Sequence, residues 1–105
     1  MRNYELTLQA EDDLLGIWRY TAKHWGKPQA DRYFGTIEAC FNAIGAGEVR
    51  SKNPLPAYKN LKSVRCEHHY IFFLAAKKPI IFAILHEKMD FVARLTKRLS
   101  SMESK

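Results

Sequence analysis

Residues 70–85 read YIFFLAAKKPIIFAIL, two apolar runs separated by the turn Ala76-Lys77-Lys78-Pro79. Neither run contains a charged residue, and strands that are buried on both faces have this composition. The short connection between the runs predicts that they pair in antiparallel fashion. The stretch therefore predicts the centre of a sheet that is covered on both sides.

The residues on either side of this stretch extend the sheet. Residues 61–67 alternate in character and predict a first strand, joined through a turn at His68-His69, so that the three strands form an antiparallel meander. Residues 47–60 contain two prolines and predict a loop of roughly 14 residues, long enough to indicate a binding role. After the meander, Asp90 is expected to cap a short helix, and residues 100–105 are expected to form a flexible tail.

The first half of the chain predicts a strand followed by two helices. Tyr4, Leu6 and Leu8 alternate with polar residues, which is typical of a strand with one buried face. Acidic residues at 11–13 suit the positive end of a helix that opens at Ala10. Gly26 is expected to end that helix, and Pro28 suits the first turn of the next. The short joint predicts an antiparallel helical hairpin, whose second helix carries one apolar stripe: Ala30, Tyr33, Phe34, Ile37, Cys40, Phe41 and Ile44.

Together these elements predict an α+β fold in which the N-terminal strand and helical hairpin precede the meander and a short C-terminal helix. With 105 residues, the chain is expected to be a single domain spanning 1–105. No apolar run is long enough for a membrane span and no secretory signal is visible, so a cytoplasmic protein is expected. In that compartment Cys40 and Cys66 are expected to be free, buried thiols.

Charge is concentrated in the second half of the chain. Residues 1–48 hold 5 basic and 7 acidic side chains, whereas residues 49–105 hold 12 basic and 4 acidic ones. The excess of positive charge in the second half attracts nucleic acid or an acidic protein partner. A solvated surface with no charged partner is the alternative interpretation.

Motifs that carry catalysis or bind cofactors are not evident. The five glycines are scattered and form no phosphate-binding loop. Cys66, His68 and His69 do not supply four tetrahedral ligands, so neither a metal nor a cofactor is predicted. His86 could act as a general base, although a hydrogen-bonded structural histidine is the more frequent outcome. Trp18 and Trp25 are interpreted as core or interface residues.

Three segments resemble ParE-type toxins of bacterial toxin–antitoxin modules. Residues 8–20 (LQAEDDLLGIWRY) resemble the first helix of that family, and residues 25–33 (WGKPQADRY) resemble its helical joint. Residues 84–90 (ILHEKMD) resemble its Leu-His-x-Arg/Lys-Met-Asp segment. The likeness covers about residues 4–95, with the three motifs in the family's order.

The resemblance implies a growth-inhibiting toxin without a catalytic site, whose usual target in the family is DNA gyrase. It also implies a hetero-oligomer with a cognate antitoxin, whose acidic, largely disordered segment folds on binding and suits the basic half of this chain. On this basis the expected target contacts are Lys88, Arg94, Lys97 and Arg98. The expected antitoxin contacts are Trp18, Tyr33, Phe34 and Arg65.

Two alternatives remain at this point. The related RelE branch cleaves messenger RNA on the ribosome, and Arg65 resembles its phosphate-contacting arginine. Met89 and Leu95 stand where that branch carries a further arginine and a tyrosine, which argues against ribonuclease activity. A nucleic-acid-binding module without toxicity ranks third, because the aromatic residues form no evident stacking platform, and no sequence-specific nucleic-acid binding is expected.

Overall fold

The computed structural model describes residues 2–103, and of Glu103 the backbone alone. It confirms the α+β class and the predicted order of elements. Within the described residues the elements are β1 (Glu5–Leu6), α1 (Leu8–Trp25), α2 (Lys27–Gly45), β2 (Leu61–Cys66), β3 (His69–Leu74), β4 (Ile80–His86) and α3 (Phe91–Glu103). None of the described helices is both long enough and apolar enough to cross a membrane.

The sheet has the strand order β1-β4-β3-β2 and is covered on both faces. The antiparallel meander is confirmed, and β1 adds a short parallel pairing in which Glu5 and Leu6 oppose Ile80 and Ile81. One face packs against the helical hairpin through Ile37, Phe41 and Ile44, and the other packs against α3 through Leu95 and Leu99. The double cover explains why the two central strands are apolar on both faces.

A β-bulge in β4 changes which way the end of that strand faces. Phe72 opposes Ala83 while Phe73 opposes Ile81, so Phe82 is the extra residue. The side chains of Phe82 and Ala83 both join the cluster under α3, and Ile84 returns to the hairpin side. The bulge therefore shifts the alternation by one position, which aims His86 toward the hairpin.

The start of α1 differs from the prediction. The helix begins at Leu8, because the Thr7 hydroxyl accepts a hydrogen bond from the Ala10 N–H (3.1 Å) and caps it. The preceding strand is correspondingly short, and Leu8 is 79% exposed instead of facing a core. Gly26 alone separates the helices, at a φ of 94° that favours glycine.

Helix α3 extends further than the sequence indicates. The predicted tail at 100–105 is wrong for residues 100–103, which continue the helix through Glu103. Met102 packs against the same cluster as Leu95 and Leu99, so burial of an apolar side chain favours the extra turn. Residues 104 and 105 lie outside the described part of the chain.

The prediction of two free thiols is also wrong. Cys40 of α2 and Cys66 of β2 form a disulfide, with Cα atoms 6.6 Å apart. That separation lies within the range that a disulfide spans. Sequence separation could not reveal the pairing, because it depends on how the hairpin stacks on the sheet.

Candidate functional site

A groove of about 1050 Å³ runs between α1 and the segment from the end of β4 into α3. Three side chains with large apolar surfaces lie open in it: Tyr20 (63% exposed), Trp25 (72%) and Met89 (40%). Lys88 and Arg94 add positive charge to its wall. Exposed aromatic surface beside cations is typical of surfaces that bind protein partners.

An ion pair between α1 and α3 connects the two sides of the groove. Both terminal guanidinium nitrogens of Arg98 donate to the Asp13 carboxylate, at 2.6 and 3.2 Å, and the side chains of Arg98 and Asp13 are 21% and 17% exposed. Arg98 also donates to the Phe82 carbonyl (3.0 Å), and Asp13 accepts from the Ile84 N–H (3.0 Å). The pair therefore satisfies two backbone groups of β4 beyond the end of β1 and fixes α1, β4 and α3 relative to one another.

Asp13 thus differs from its expected role, and Arg98 makes structural contacts besides the target contact expected of it. Asp13 lies in the second turn of α1 and contacts Arg98, so the prediction that it serves the helix dipole is wrong. The guanidinium of Arg98, which we expected to contact a target, is taken up by intramolecular bonds.

Tyr33, His69 and His86 meet at one end of the groove. The Tyr33 hydroxyl lies 2.7 Å from Nδ1 of His69 and accepts a bond from the His68 N–H (3.2 Å). The rings of His69 and His86 meet edge to face, with centroids 5.2 Å apart. Burial, with the neighbouring His86 and His68, lowers the pKa of His69 to about 4, so the ring is neutral at pH 7. We assign the Tyr33 hydroxyl as the donor, which places the His69 ring proton on Nε2.

We expect the neutral His69 to make the fold sensitive to acid. The folded pKa of about 4 lies below the ordinary histidine value of 6.5, so the unfolded chain binds the proton more readily. Stability should therefore fall as the pH drops from about 6.5 to about 4, and this contribution should then level off. Urea unfolding of the protein and of His69→Asn across that pH range should show a shallower decline for the variant.

The control for this prediction is His24→Asn, since His24 is an exposed histidine on α1. It should follow the unmodified protein at every pH. Equal slopes for His69→Asn and the unmodified protein would contradict the prediction. The comparison removes the contribution of Glu87, whose pKa is also shifted and which titrates in all three proteins.

A second cluster lies where the β2–β3 turn meets the end of β4. Glu87 forms an ion pair with Arg65, and its other carboxylate oxygen lies 3.1 Å from Nδ1 of His68. The His68 hydrogen bond and the positive charge of Arg65 lower the pKa of Glu87. Because the carboxylate is ionised at neutral pH, the His68 proton in this bond sits on Nδ1.

The residues expected to bind partners lie in different places. Tyr33, Lys88, Arg94 and Arg98 all line the groove, whereas Lys97 is exposed on α3 outside it. The Trp18 indole donates to Asp31 (2.9 Å) and joins the two hairpin helices. Phe34 lines a smaller cavity of about 300 Å³ beside β1, and Arg65 lies near the end of β2, beside the β2–β3 turn.

Sequence reasoning missed several groove residues. Tyr20 and Met89 were not predicted to contact a partner, and Trp25, interpreted only as a core or interface residue, lies open in the groove. The sequence did contain a pattern that could have indicated them. Ile17, Tyr20 and Thr21 follow Asp13 at helical spacing, so these residues share one face of α1. That face lines the groove.

The family model described as "ParE toxin of type II toxin-antitoxin system, parDE" matches residues 4–91. The chain belongs to the ParE toxin family. The match begins one residue before β1 and ends at the first residue of α3, so it includes the groove residues of α1 and β4. Arg94 and Arg98 lie beyond it.

Two curated relatives are similar over nearly the whole chain. Toxin ParE of Escherichia coli is 44% identical over 101 residues, which cover 94% of this chain and 98% of the relative. Toxin ParE1 of Caulobacter vibrioides is 29% identical over 99 residues, which cover 90% and 99%. These similarities support the assignment to the ParE toxin family.

A solved structure supports the fold independently. A chain of the structure "Chromosomal ParDE TA system from P. aeruginosa" superimposes with a TM-score of 0.68, covering 82% of this chain and 96% of that one. Sequence identity is 17%, so the likeness shows the shared fold alone. Among the described residues of this ParE family member, no group of three or more His, Cys, Asp or Glu side chains could hold a metal ion.

Proposed function

We propose that this protein stops cell growth by binding an essential cellular protein, DNA gyrase, and that it does so without a catalytic site of its own. It acts in the cytoplasm, and a cognate antitoxin neutralises it. Membership of the ParE toxin family supports the toxin role. The gyrase target and the antitoxin are the partners that we infer from that membership.

The observation that carries the proposal is the groove, in which Tyr20, Trp25 and Met89 are open beside Lys88 and Arg94. Such a surface offers a partner apolar contact together with charge complementarity. We propose that Lys88, Arg94 and Lys97 contact the target. Arg98 supports this surface indirectly, since its pair with Asp13 positions α3.

The antitoxin is proposed to bind through an acidic segment that folds on the toxin. We keep Trp18, Tyr33, Phe34 and Arg65 as its proposed contacts, to which the open ring of Trp25 is added. The opposite charges of antitoxin and toxin would speed their association and fix the position of the acidic segment on the toxin. Aromatic contacts would supply most of the affinity. Antitoxin and toxin would then form a hetero-oligomer.

The test is pulse-labelling of DNA and protein synthesis in cells just after induced expression without antitoxin. If the target is gyrase, DNA synthesis should stop first while protein synthesis continues. Growth that continues unchanged would overturn the toxin assignment. If growth continues, the purified protein is tested for its disulfide and its fold. An intact fold would show that misfolding does not explain the lack of growth inhibition.

A second candidate is a RelE-like ribosome-dependent endoribonuclease. The observation that favours it is the meeting of Tyr33, His69 and His86 in the groove, because phenol and imidazole groups can move protons. In the same pulse-labelling experiment it predicts that protein synthesis stops first and that messenger RNA is cleaved.

A further inference from the structure

We propose that Glu87 determines binding specificity: its carboxylate occupies an anion site formed by Arg65 and His68, and thereby keeps phosphate groups of nucleic acids out of that site. The inference goes beyond the proposed function and does not depend on it. It concerns what this basic surface rejects, not which protein it binds.

The first support is that Arg65 is held in place from three directions. Its Nε donates to the Glu67 carbonyl (3.1 Å), a terminal nitrogen pairs with Glu87, and the guanidinium lies 5.6 Å from the centre of the Tyr70 ring. A guanidinium that is fixed in this way is preorganised for an anion, and carboxylate and phosphate bind it with similar geometry. In this protein the anion is supplied by the chain itself.

The second support is the rigid placement of Glu87. Its N–H donates to the His68 carbonyl (2.9 Å), so the turn after β4 is tied to the β2–β3 turn. The carboxylate bridges Arg65 and His68 from that position and is 24% exposed, compared with 55% for Arg65 and 69% for His68. An intramolecular anion competes at a high effective concentration with any phosphate from solution.

The third support is the charge around the site. Residues 49–105 carry 12 basic and 4 acidic side chains, and Lys88 directly follows Glu87. A basic surface without an internal counter-charge binds nucleic acid without regard to sequence. Glu87 removes the best phosphate-binding group, Arg65, from that surface. The proposed antitoxin, bound mainly through aromatic contacts, would be affected much less, and the Arg65 side chain remains 55% exposed beside Glu87.

The experiment compares Glu87→Gln with Glu38→Gln, which makes the same change in net charge at an exposed position on α2. Binding of a fluorescently labelled single-stranded RNA oligonucleotide is measured on purified proteins over a range of salt concentrations. Releasing Arg65 and His68 adds one to two phosphate contacts, so Glu87→Gln should bind about tenfold more tightly, with a salt dependence steeper by about one. Glu38→Gln should resemble the unmodified protein.

The double variant Glu87→Gln with Arg65→Gln should lose the gain, since the released guanidinium is its source. Equal gains for Glu87→Gln and Glu38→Gln would overturn the proposal, because net charge alone would explain them. No gain for Glu87→Gln, in a variant with an unchanged circular dichroism spectrum, would also overturn it. A chain that does not inhibit growth would overturn the proposed function and leave this binding result standing, so the two failures are distinguishable.

Discussion

Replacing Asp13 with alanine is expected to lower the free energy of unfolding by about 3 kcal/mol, because it leaves the largely buried Arg98 without its counter-charge. The change also removes the acceptor of the Ile84 N–H, at the point where β4 extends beyond β1. Urea unfolding measured by circular dichroism gives the difference directly. Small domains have only about 5–15 kcal/mol of stability, so this loss is a large fraction of the total.

The matched control is Asp12→Ala, one residue earlier on the exposed side of α1, which should change stability by less than about 0.5 kcal/mol. The double variant Asp13→Leu with Arg98→Met should recover only part of the loss, since no unpaired charge remains buried but the Ile84 N–H and the Phe82 carbonyl still lack their side-chain partners. An Asp13→Ala protein as stable as Asp12→Ala would show that the ion pair does not hold the helices together.

Reversing the charge of Lys88, Arg94 and Lys97 together is expected to abolish growth inhibition while the fold remains intact. Two reversed charges in the groove and a third beside it on α3 should lower the rate of association with the target by about two orders of magnitude at low salt. The measurement is colony formation after induction, with thermal unfolding of the purified variant as the check on the fold. Arg98 is left unchanged, because reversing it would set two carboxylates against each other at Asp13.

The control for this variant reverses Lys23, Lys27 and Lys77, three exposed lysines outside the groove lining. It makes the same change in net charge and should remain toxic. Full toxicity of the Lys88, Arg94 and Lys97 variant would remove these residues from the proposed target surface. Loss of toxicity in both variants would point to net charge and not to the groove.

Much of the fold could be predicted from local patterns. The apolar runs at 70–75 and 80–85 identified the central strands, and the stripe from Ala30 to Ile44 identified the face of α2 that packs on the sheet. These predictions succeed because burial on both faces makes a strand continuously apolar, whereas burial of one face gives a helix an apolar period of 3.6 residues. The cap at Thr7 was missed because the alternation of Tyr4, Leu6 and Leu8 favoured a strand through this position. The hydrogen bond from the Ala10 N–H to the Thr7 hydroxyl starts the helix there instead.

The details of the site depend on contacts between residues that are distant in sequence. Asp13 and Arg98 are 85 positions apart, and Tyr33 and His69 are 36 apart, so no local pattern relates them. The bulge at Phe82 is equally hidden, because an apolar residue suits either face of a doubly covered strand. The Cys40–Cys66 pairing follows from the packing of α2 on β2, which local patterns do not specify.

The contrast between the two tryptophans gives the protein an optical reporter. Trp18 is partly shielded and donates to Asp31, whereas the Trp25 ring lies in water within the groove. Indole emission moves to shorter wavelength when water is displaced, so a partner that covers the groove should shift the fluorescence of Trp25 and leave that of Trp18 nearly unchanged. In a Trp18→Phe protein the remaining emission would come from the groove alone, and titrating a candidate partner would show its occupancy without any attached label.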